Sequence, residues 1–462
     1  MAIVGTLKTF KGGRYFSKLE GAPSLRIDTA PLPPQVRVPL RQGFGDEPDG
    51  LVRVGDRVKV GQPLARSDEK ISTPVPAPIS GEVIAIEEGV HPLDGKPTAI
   101  VVIESDGQDE WQVLNLPAGS YAKWGREALG RVLYEAGVTA LGKAGFPTAF
   151  RSSDVEPSEI SHLVINAVET EPYVRGDLAL LYEEFDKFVT GIRILKEALG
   201  NVEVHVGVGH DQPHIFEELT ARLEYHDWAY IHPLLPKYPQ GADEVLIKTL
   251  LGREVPAGRL PTAIGVVVCD VQTVVAAYEA VLEGKPFVER VISLGGSAAK
   301  RPRCVRVRLG TPVGDVLEAF GHEAPARVIL GGPLRGASVS DIEAPITRDV
   351  RAITLLREPG GRRVWAWVPA LRRGRRATTA LNGEPRPCIR CGDCLDVCPQ
   401  NLTPIGLSEA VRQGDLRRAE GQLDLFACIE CGLCSYVCPA KISLLEDIRR
   451  GKRWILEEQL EA

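Results

Sequence analysis

Cys388-Ile-Arg-Cys391-Gly-Asp-Cys394-Leu-Asp-Val-Cys398-Pro399 is followed by Cys428-Ile-Glu-Cys431-Gly-Leu-Cys434-Ser-Tyr-Val-Cys438-Pro439. The two stretches are one pattern written twice, C-x2-C-x2-C-x3-C-P, the bacterial spacing for a [4Fe–4S] cluster. Two-residue spacers let consecutive thiolates close on three irons of one cube. The three-residue spacer and its proline carry the fourth thiolate away, toward the other cube. The spacing therefore assigns one cluster to Cys388, Cys391, Cys394 and Cys438, and a second to Cys428, Cys431, Cys434 and Cys398. Structural zinc is the competing use of such thiols, but zinc sites pair their thiolates rather than repeat a three-plus-one arrangement. Two adjacent cubes pass single electrons, so the pattern points to electron transfer.

The rest of the composition is compatible with that chemistry. A chain of 462 residues predicts about three domains. Apolar content of 44% and charged content of 25% are ordinary for a globular protein. A net charge of −6 argues against nucleic acid as a partner. Eight of the ten cysteines lie in the two motifs, and Cys269 and Cys304 stand alone in apolar, strand-like surroundings that predict burial. So many thiols without a signal-peptide pattern predict a reducing compartment. No run of 18 apolar residues is present, so any membrane attachment is expected to be peripheral.

Taken in order, residues 1–35 read as an extended, proline-rich segment containing Phe10-Lys-Gly-Gly13. Residues 36–104 carry short alternating runs punctuated by Gly and Pro, which predict antiparallel β structure. The halves VGDRVKVGQPLA and PVPAPISGEVIAIEEGV look like a barrel-sandwich hybrid, the fold of lipoyl and biotinyl carriers. Lys70 stands where a lipoyl-bearing lysine would, but Glu69 precedes it in place of Asp, and a structural use of the fold is the reading adopted. After a linker at 105–125, residues 126–284 alternate helical and strand patterns, the signature of an α/β layer. One helix is expected around Leu178–Leu199, and strands over 162–168, 202–208 and 264–271. Residues 285–340 read as a β-grasp unit around the helix VGDVLEAFG. Residues 341–380 carry paired strands near AITLL and VWAWV and a basic turn, Arg372, Arg373, Arg375 and Arg376. The helical two-cluster domain is expected over 381–462, closing with an amphipathic helix from Ser443.

This order of parts resembles the RnfC family of the Rnf ion-translocating electron-transport complex, and more distantly the flavin-bearing subunit of respiratory complex I. The likeness covers nearly the whole chain. It rests on FKGG, VGDRVKVGQ, AGFPT, ETEPY, YPQGA, LLGREVPAG, the segment Ile329–Gly336 and both cysteine motifs. The resemblance implies a multidomain α/β protein: a barrel-sandwich hybrid, a complex-I-flavoprotein-like domain, an SLBB-like β-grasp domain and a two-cluster ferredoxin domain. It implies FMN, which accepts hydride from NADH and releases electrons singly to clusters that take one at a time. Glycine-rich backbone at a helix N-terminus suits a phosphate. The resemblance places that role on Gly142, Lys143, Ala144, Gly145, Phe146 and Thr148, with Asn166, Glu169, Glu171, Tyr173, Tyr238 and Gly241 along the same cleft. The partners it implies are the membrane and iron–sulfur subunits of an Rnf-type complex, with ferredoxin a candidate. The implied location is the cytoplasmic face of the bacterial inner membrane.

The chain also departs from the family pattern. Ala140 and Lys143 replace two glycines of the cofactor loop, and Gly209-His-Asp-Gln-Pro213 lacks a carboxylate and a lysine of the family's acidic stretch. Ala167 and Thr170 replace a Gly and a Cys. Two readings follow: an NADH-oxidising flavin and iron–sulfur enzyme, or a non-enzymatic two-cluster electron conduit whose flavin or pyridine-nucleotide site has been lost.

Overall fold

A computed structural model describes residues 3–16, 19–42, 45–67, 72–138, 160–200, 202–223, 226–323, 326–357 and 385–461. At its centre lies a five-stranded, wholly parallel sheet in the order Ile3–Val4, Ala229–Leu234, Glu203–Gly209, His162–Ala167, Val266–Asp270. Val266–Asp270 is buried at all five positions, as a strand covered on both faces requires. One face packs on helices Gly125–Glu135, Phe185–Leu199, Pro213–Leu223 and Val271–Tyr278, through Leu133, Phe188, Leu195, Leu219 and Val274. The other is covered by helix Asp243–Leu251 through Leu246, Ile247 and Leu250 against Val164 and Val268. The single helix expected around Leu178–Leu199 is two, Gly176–Glu183 and Phe185–Leu199. Glu184 breaks the run at φ −125° and ψ 37°, where its carboxylate pairs with Arg306 and lies 3.6 Å from Lys187. Strand Ala229–Leu234 is an element that the sequence pattern does not suggest.

Two further β units flank this sheet. One joins a four-stranded sheet, Gln35–Pro39, Pro97–Ser105, Gly81–Val90 and Arg57–Val58, to a three-stranded one, Asp49–Gly50, Pro63–Arg66 and Val75–Pro76. Val36, Val38, Leu64, Ile79, Val83 and Val101 fill the space between them, the barrel-sandwich arrangement. Lys70 lies outside the described residues. The other unit is a six-stranded sheet ordered Ala337–Val339, Ala326–Leu330, Ala352–Arg357, Glu289–Gly295, Arg303–Arg308, Ile27–Thr29. Helix Val313–Phe320 packs on it through Val313, Val316 and Leu317. The AITLL strand expected in the sequence is Ala352–Arg357, paired between Ala326–Leu330 and Glu289–Gly295. Its expected partner VWAWV and the arginine turn Arg372–Arg376 fall outside the described residues. The N-terminal segment is extended, but it does not stand apart. Ile3–Val4 edges the central sheet and Ile27–Thr29 edges the β-grasp sheet.

The C-terminal unit is helical: Asp393–Asp396, Pro404–Arg412, Leu416–Gly421, Leu433–Val437 and Leu444–Glu461. Leu407, Val411, Leu425, Ile448 and Ile455 form its core. Asp447, buried in the first turn of the last helix, accepts from Ser408 Oγ at 2.6 Å and from Arg412 Nε at 2.7 Å. Among the described residues, no helix is long and apolar enough to cross a membrane.

Candidate redox site

The folded cysteines sort into two groups, each lining its own cavity. Cys398, Cys428, Cys431 and Cys434 surround one, walled by Leu402, Leu407, Leu433 and Ile448. Cys388, Cys391, Cys394 and Cys438 surround the other, walled by Ile405, Ile442 and Leu444. The fourth cysteine of each motif thus lies with the first three of the other, as the crossed spacing predicts. The backbone repeats with the same symmetry. Arg390 and Glu430 have φ of 54° and 56°, and Asn401 and Lys441 have φ of 53° and 58°. These left-handed positions turn N–H groups inward. Arg390 N–H and Glu430 N–H each donate to the Sγ of the cysteine two residues earlier, Cys388 and Cys428, at 3.4 Å. Leu402 N–H donates to Cys398 Sγ at 3.4 Å.

The two groups differ in depth. Cys388 and Cys391 are exposed, whereas Cys434 is buried. Burial pushes the Cys431 thiol up to about 12 and raises those of Cys428 and Cys434. Four such sulfurs facing one another in an apolar cavity stay thiolates only if a cation compensates them, which is what iron ligation supplies. The donor set therefore fits the cubes that the spacing predicts.

Three of the motifs quoted above converge on the deeper group. Tyr238 Oη, from YPQGA, donates to the Cys431 carbonyl at 2.6 Å. The Tyr238 main chain exchanges two hydrogen bonds with Arg14, at 2.8 and 3.0 Å. Gly13 N–H, from FKGG, donates to the Val397 carbonyl at 2.9 Å. A Cβ on Gly12 would lie 2.9 Å from the Cys398 carbonyl oxygen, so the FKGG glycines permit a backbone-to-backbone approach. Gly432 meets Leu334 of the Ile329–Gly336 segment just as closely, and Arg449 donates to the Arg335 carbonyl at 3.1 Å and to Glu430 at 2.9 Å. Phe16 meets Tyr238 and Tyr436 edge-on, with ring centroids 6.1 and 5.4 Å apart.

On the other side of this junction are the described members of the expected cofactor cleft. They lie at or beyond the C-terminal edge of the parallel strands, the edge where open α/β sheets take ligands. Asn166 Nδ2 donates to the Gly241 carbonyl at 2.8 Å, and its Oδ1 accepts from Val168 N–H at 3.3 Å. Gly241 fits there because a Cβ would sit 2.7 Å from the Val168 carbonyl oxygen. Tyr173 takes φ 67°. Glu169 Oε2 accepts from Leu178 N–H at 3.0 Å. Its Oε1, like Oε1 of Glu171, is sealed from solvent without a hydrogen-bond partner among the described residues. Burial and then the charge of Asp177 push the Glu169 carboxyl up to about 7. Burial raises Glu171 too, against the pull of Arg335 and Arg351. Glu171 in turn raises the Tyr238 phenol, after burial, so the cleft and the cluster junction share one electrostatic environment. Such orphaned acceptors beside the sheet edge fit a ligand that donates hydrogen bonds. Gly142, Lys143, Ala144, Gly145, Phe146 and Thr148 lie outside the described residues.

Several charged residues here escape a reading of the sequence. Arg351 pairs with Asp177 and lies 3.7 Å from Asp270, and Arg290 is 1% exposed beside the same acids. Asp270 also caps helix Val271–Tyr278, accepting from Thr273 N–H at 2.8 Å. That cap, an Asp closing an apolar strand before an apolar helix, is a usable signal. Arg351 offers none.

Comparison with known proteins places these parts in families. The RnfC barrel sandwich hybrid domain matches residues 8–108 and the Nuo51 FMN-binding domain residues 133–279. The NQRA C-terminal domain matches residues 291–341 and the 4Fe-4S dicluster domain residues 387–442. The RnfC-type subunit of the proton-translocating ferredoxin:NAD(+) oxidoreductase complex of Clostridium ljungdahlii is 35% identical, over 96% of this chain and 93% of its own length. The corresponding subunit of the ion-translocating oxidoreductase complex of Rhodobacter capsulatus is 32% identical, over 85% of this chain and 73% of its own. Its counterpart in Pseudomonas aeruginosa is 36% identical over 87% of this chain, which spans 50% of that longer relative. The chain belongs to the RnfC family of the ion-translocating oxidoreductase complexes, as an electron-transfer subunit with an FMN-binding domain and a [4Fe–4S] dicluster domain.

Proposed function

We propose that this protein takes electrons from NADH at the C-terminal edge of its parallel sheet and delivers them through the buried cysteine group to the exposed one. Bound FMN would supply the conversion of a hydride into two single electrons. Gly142, Lys143, Ala144, Gly145, Phe146 and Thr148 would cradle it, with Asn166, Glu169, Glu171, Tyr173, Tyr238 and Gly241 lining the cleft. Cys428, Cys431, Cys434 and Cys398 would hold the cluster next to the flavin domain. Cys388, Cys391, Cys394 and Cys438 would hold the outer one. The observation that supports this order is the contact from Tyr238 Oη to the Cys431 carbonyl, which ties the cleft to the deeper cysteine group. Electrons would leave at the exposed Cys388–Cys391 turn to a membrane or iron–sulfur component of the complex, or to ferredoxin, on the cytoplasmic face of the inner membrane.

Two measurements on the holoprotein test this. Cys398→Ser should destroy the inner cluster and leave the outer one, read as loss of one of two electron-paramagnetic signals; loss of the outer signal instead would refute the crossed ligand sets. In the wild type, anaerobic NADH should bleach the visible absorption of both clusters. Ala140, Lys143 and the altered 209–213 loop favour the second reading, a conduit with no pyridine-nucleotide site. In the fold, Gln212 of that loop is held by the Tyr182 hydroxyl at 3.0 Å. Under that reading NADH bleaches nothing while dithionite bleaches everything.

A further inference from the structure

At the opposite end of the central sheet, where the parallel strands begin, three metal-binding side chains meet. His162 opens one strand, and Glu203 and His205 open its neighbour, with His162 and Glu203 in register. The Glu203 Oε2 atom lies 3.5 Å from His162 Nδ1 and 3.6 Å from His205 Nε2, and the three ligand atoms fall within 4.8 Å of one another. Around a tetrahedral zinc ion with bonds of about 2.0–2.1 Å, ligand atoms lie about 3.3 Å apart. Both imidazole nitrogens are sealed from solvent and lack a hydrogen-bond partner among the described residues. His205 is 6% exposed. Its ring is fixed by stacking on Tyr230, with centroids 4.6 Å apart and planes at 12°. Its other nitrogen, Nδ1, faces His232 Nε2 at 3.1 Å. Donation by Nδ1–H there leaves the Nε2 lone pair aimed at Glu203, the outer-shell arrangement that orients ligating histidines. The nearby cations are tied elsewhere: Lys8 to the Leu250 carbonyl at 2.9 Å and Arg253 to the Ile264 carbonyl at 3.4 Å.

We propose that His162, Glu203 and His205 form a binding site for one divalent ion of the zinc class. Burial favours neutral imidazoles, the form that ligates. The carboxylate balances part of the ion's charge, and its side chain, 53% exposed, leaves a path for the ion and a fourth position for water. Two histidines and a carboxylate with an open fourth place are a known zinc donor set. The ion would clamp two neighbouring strands at the end of the sheet away from the redox cleft.

The test uses holoprotein with both clusters intact, incubated with zinc chloride and desalted without oxygen. One retained zinc per chain is expected, and its X-ray absorption edge should report only nitrogen and oxygen neighbours near about 2.0 Å. A sulfur shell near about 2.3 Å would mean that cluster cysteines had taken the metal, and would overturn the site. Glu203→Gln and His162→Ala should each lose that equivalent with iron content unchanged. His214→Ala, at an exposed position one helical turn before Glu218, should keep it. Zinc should raise the unfolding temperature of the wild type and of His214→Ala but not of Glu203→Gln, as binding to the native state alone dictates. Equal zinc in wild type and Glu203→Gln, or none in the wild type, would sink the proposal.

Discussion

Glu169 shows how one side chain reports its surroundings. It stands after strand His162–Ala167, near Asp177 and Arg351, with one oxygen held by Leu178 N–H and the other unpartnered. Its carboxyl is raised to about 7 from an ordinary 4.5, chiefly by burial. Between those values the folded chain keeps a proton that the unfolded chain has lost. Stability contributed by this group therefore falls as pH rises through that window and is level above it. Glu169→Gln keeps the acceptor for Leu178 N–H and has nothing to titrate. Its stability relative to wild type should climb from pH 5 to pH 7, by about 2 kcal/mol, and level off by about pH 8. Unfolding midpoints for both proteins from pH 5 to pH 8 measure this, and parallel curves would mean that the carboxyl is not perturbed. The sequence makes Glu169 visible because it belongs to ETEPY. Arg351 and Asp177, which set its charge environment, are not visible there. They lie 174 residues apart and meet only through the fold.

The paired cysteine motifs are the element that sequence describes best, since spacing alone implies the crossed groups that line the two cavities. Their inequality is hidden. Gly392 and Gly432 occupy matching places at φ 88° and 78°. Among the described residues a Cβ on Gly392 would meet nothing within 4 Å, whereas one on Gly432 would run into the Leu334 carbonyl. Alanine at either position carries the left-handed penalty of about 1–2 kcal/mol. Only at Gly432 must the cluster domain also move off the β-grasp unit. Gly392→Ala is therefore expected to retain both clusters, and Gly432→Ala to lose the inner one or its reduction from the flavin side. Iron content and stopped-flow bleaching separate these outcomes. Equal behaviour of the two variants would deny that the Leu334 contact seats the inner motif. Spacing could not reveal this contact because Leu334 lies almost a hundred residues upstream, on a turn that no periodicity marks.

Across the whole molecule, the segment with the least structured sequence is bonded to three other units. Residues 1–35 look extended because proline and glycine deny them a helix. What sequence could not show is where an extended chain finds its hydrogen bonds, since strand pairing is non-local. Gly5 N–H donates to Ile231 at 2.9 Å, Lys8 exchanges two bonds of 3.0 Å with Pro233 and Leu235, and Gly13 donates to Val397 at 2.9 Å. Lys237 Nζ closes over the Phe10 ring at 4.3 Å from its centroid. The same strap continues to Ile27–Thr29 on the β-grasp sheet. It thereby joins the α/β, cluster and β-grasp units, and its removal would uncover the Ala229–Leu234 edge. Each of these hydrogen bonds contributes about 1 kcal/mol net; three fasten the strap to the edge of the α/β sheet and the one from Gly13 reaches the cluster domain, so the strap adds about 1 kcal/mol of hydrogen bonding to that junction. A chain beginning at Arg14 should still incorporate iron, because the cluster domain keeps its own core. On heating, full-length protein should lose cluster absorption and helical circular dichroism together. The shortened chain should lose cluster absorption first, by about 5 °C, since a loss of about 1 kcal/mol moves the midpoint of a domain of this size by roughly that much. Coincident transitions in the shortened chain would show that the strap is decoration, and that Tyr238, Leu334 and Arg449 hold the junction without it.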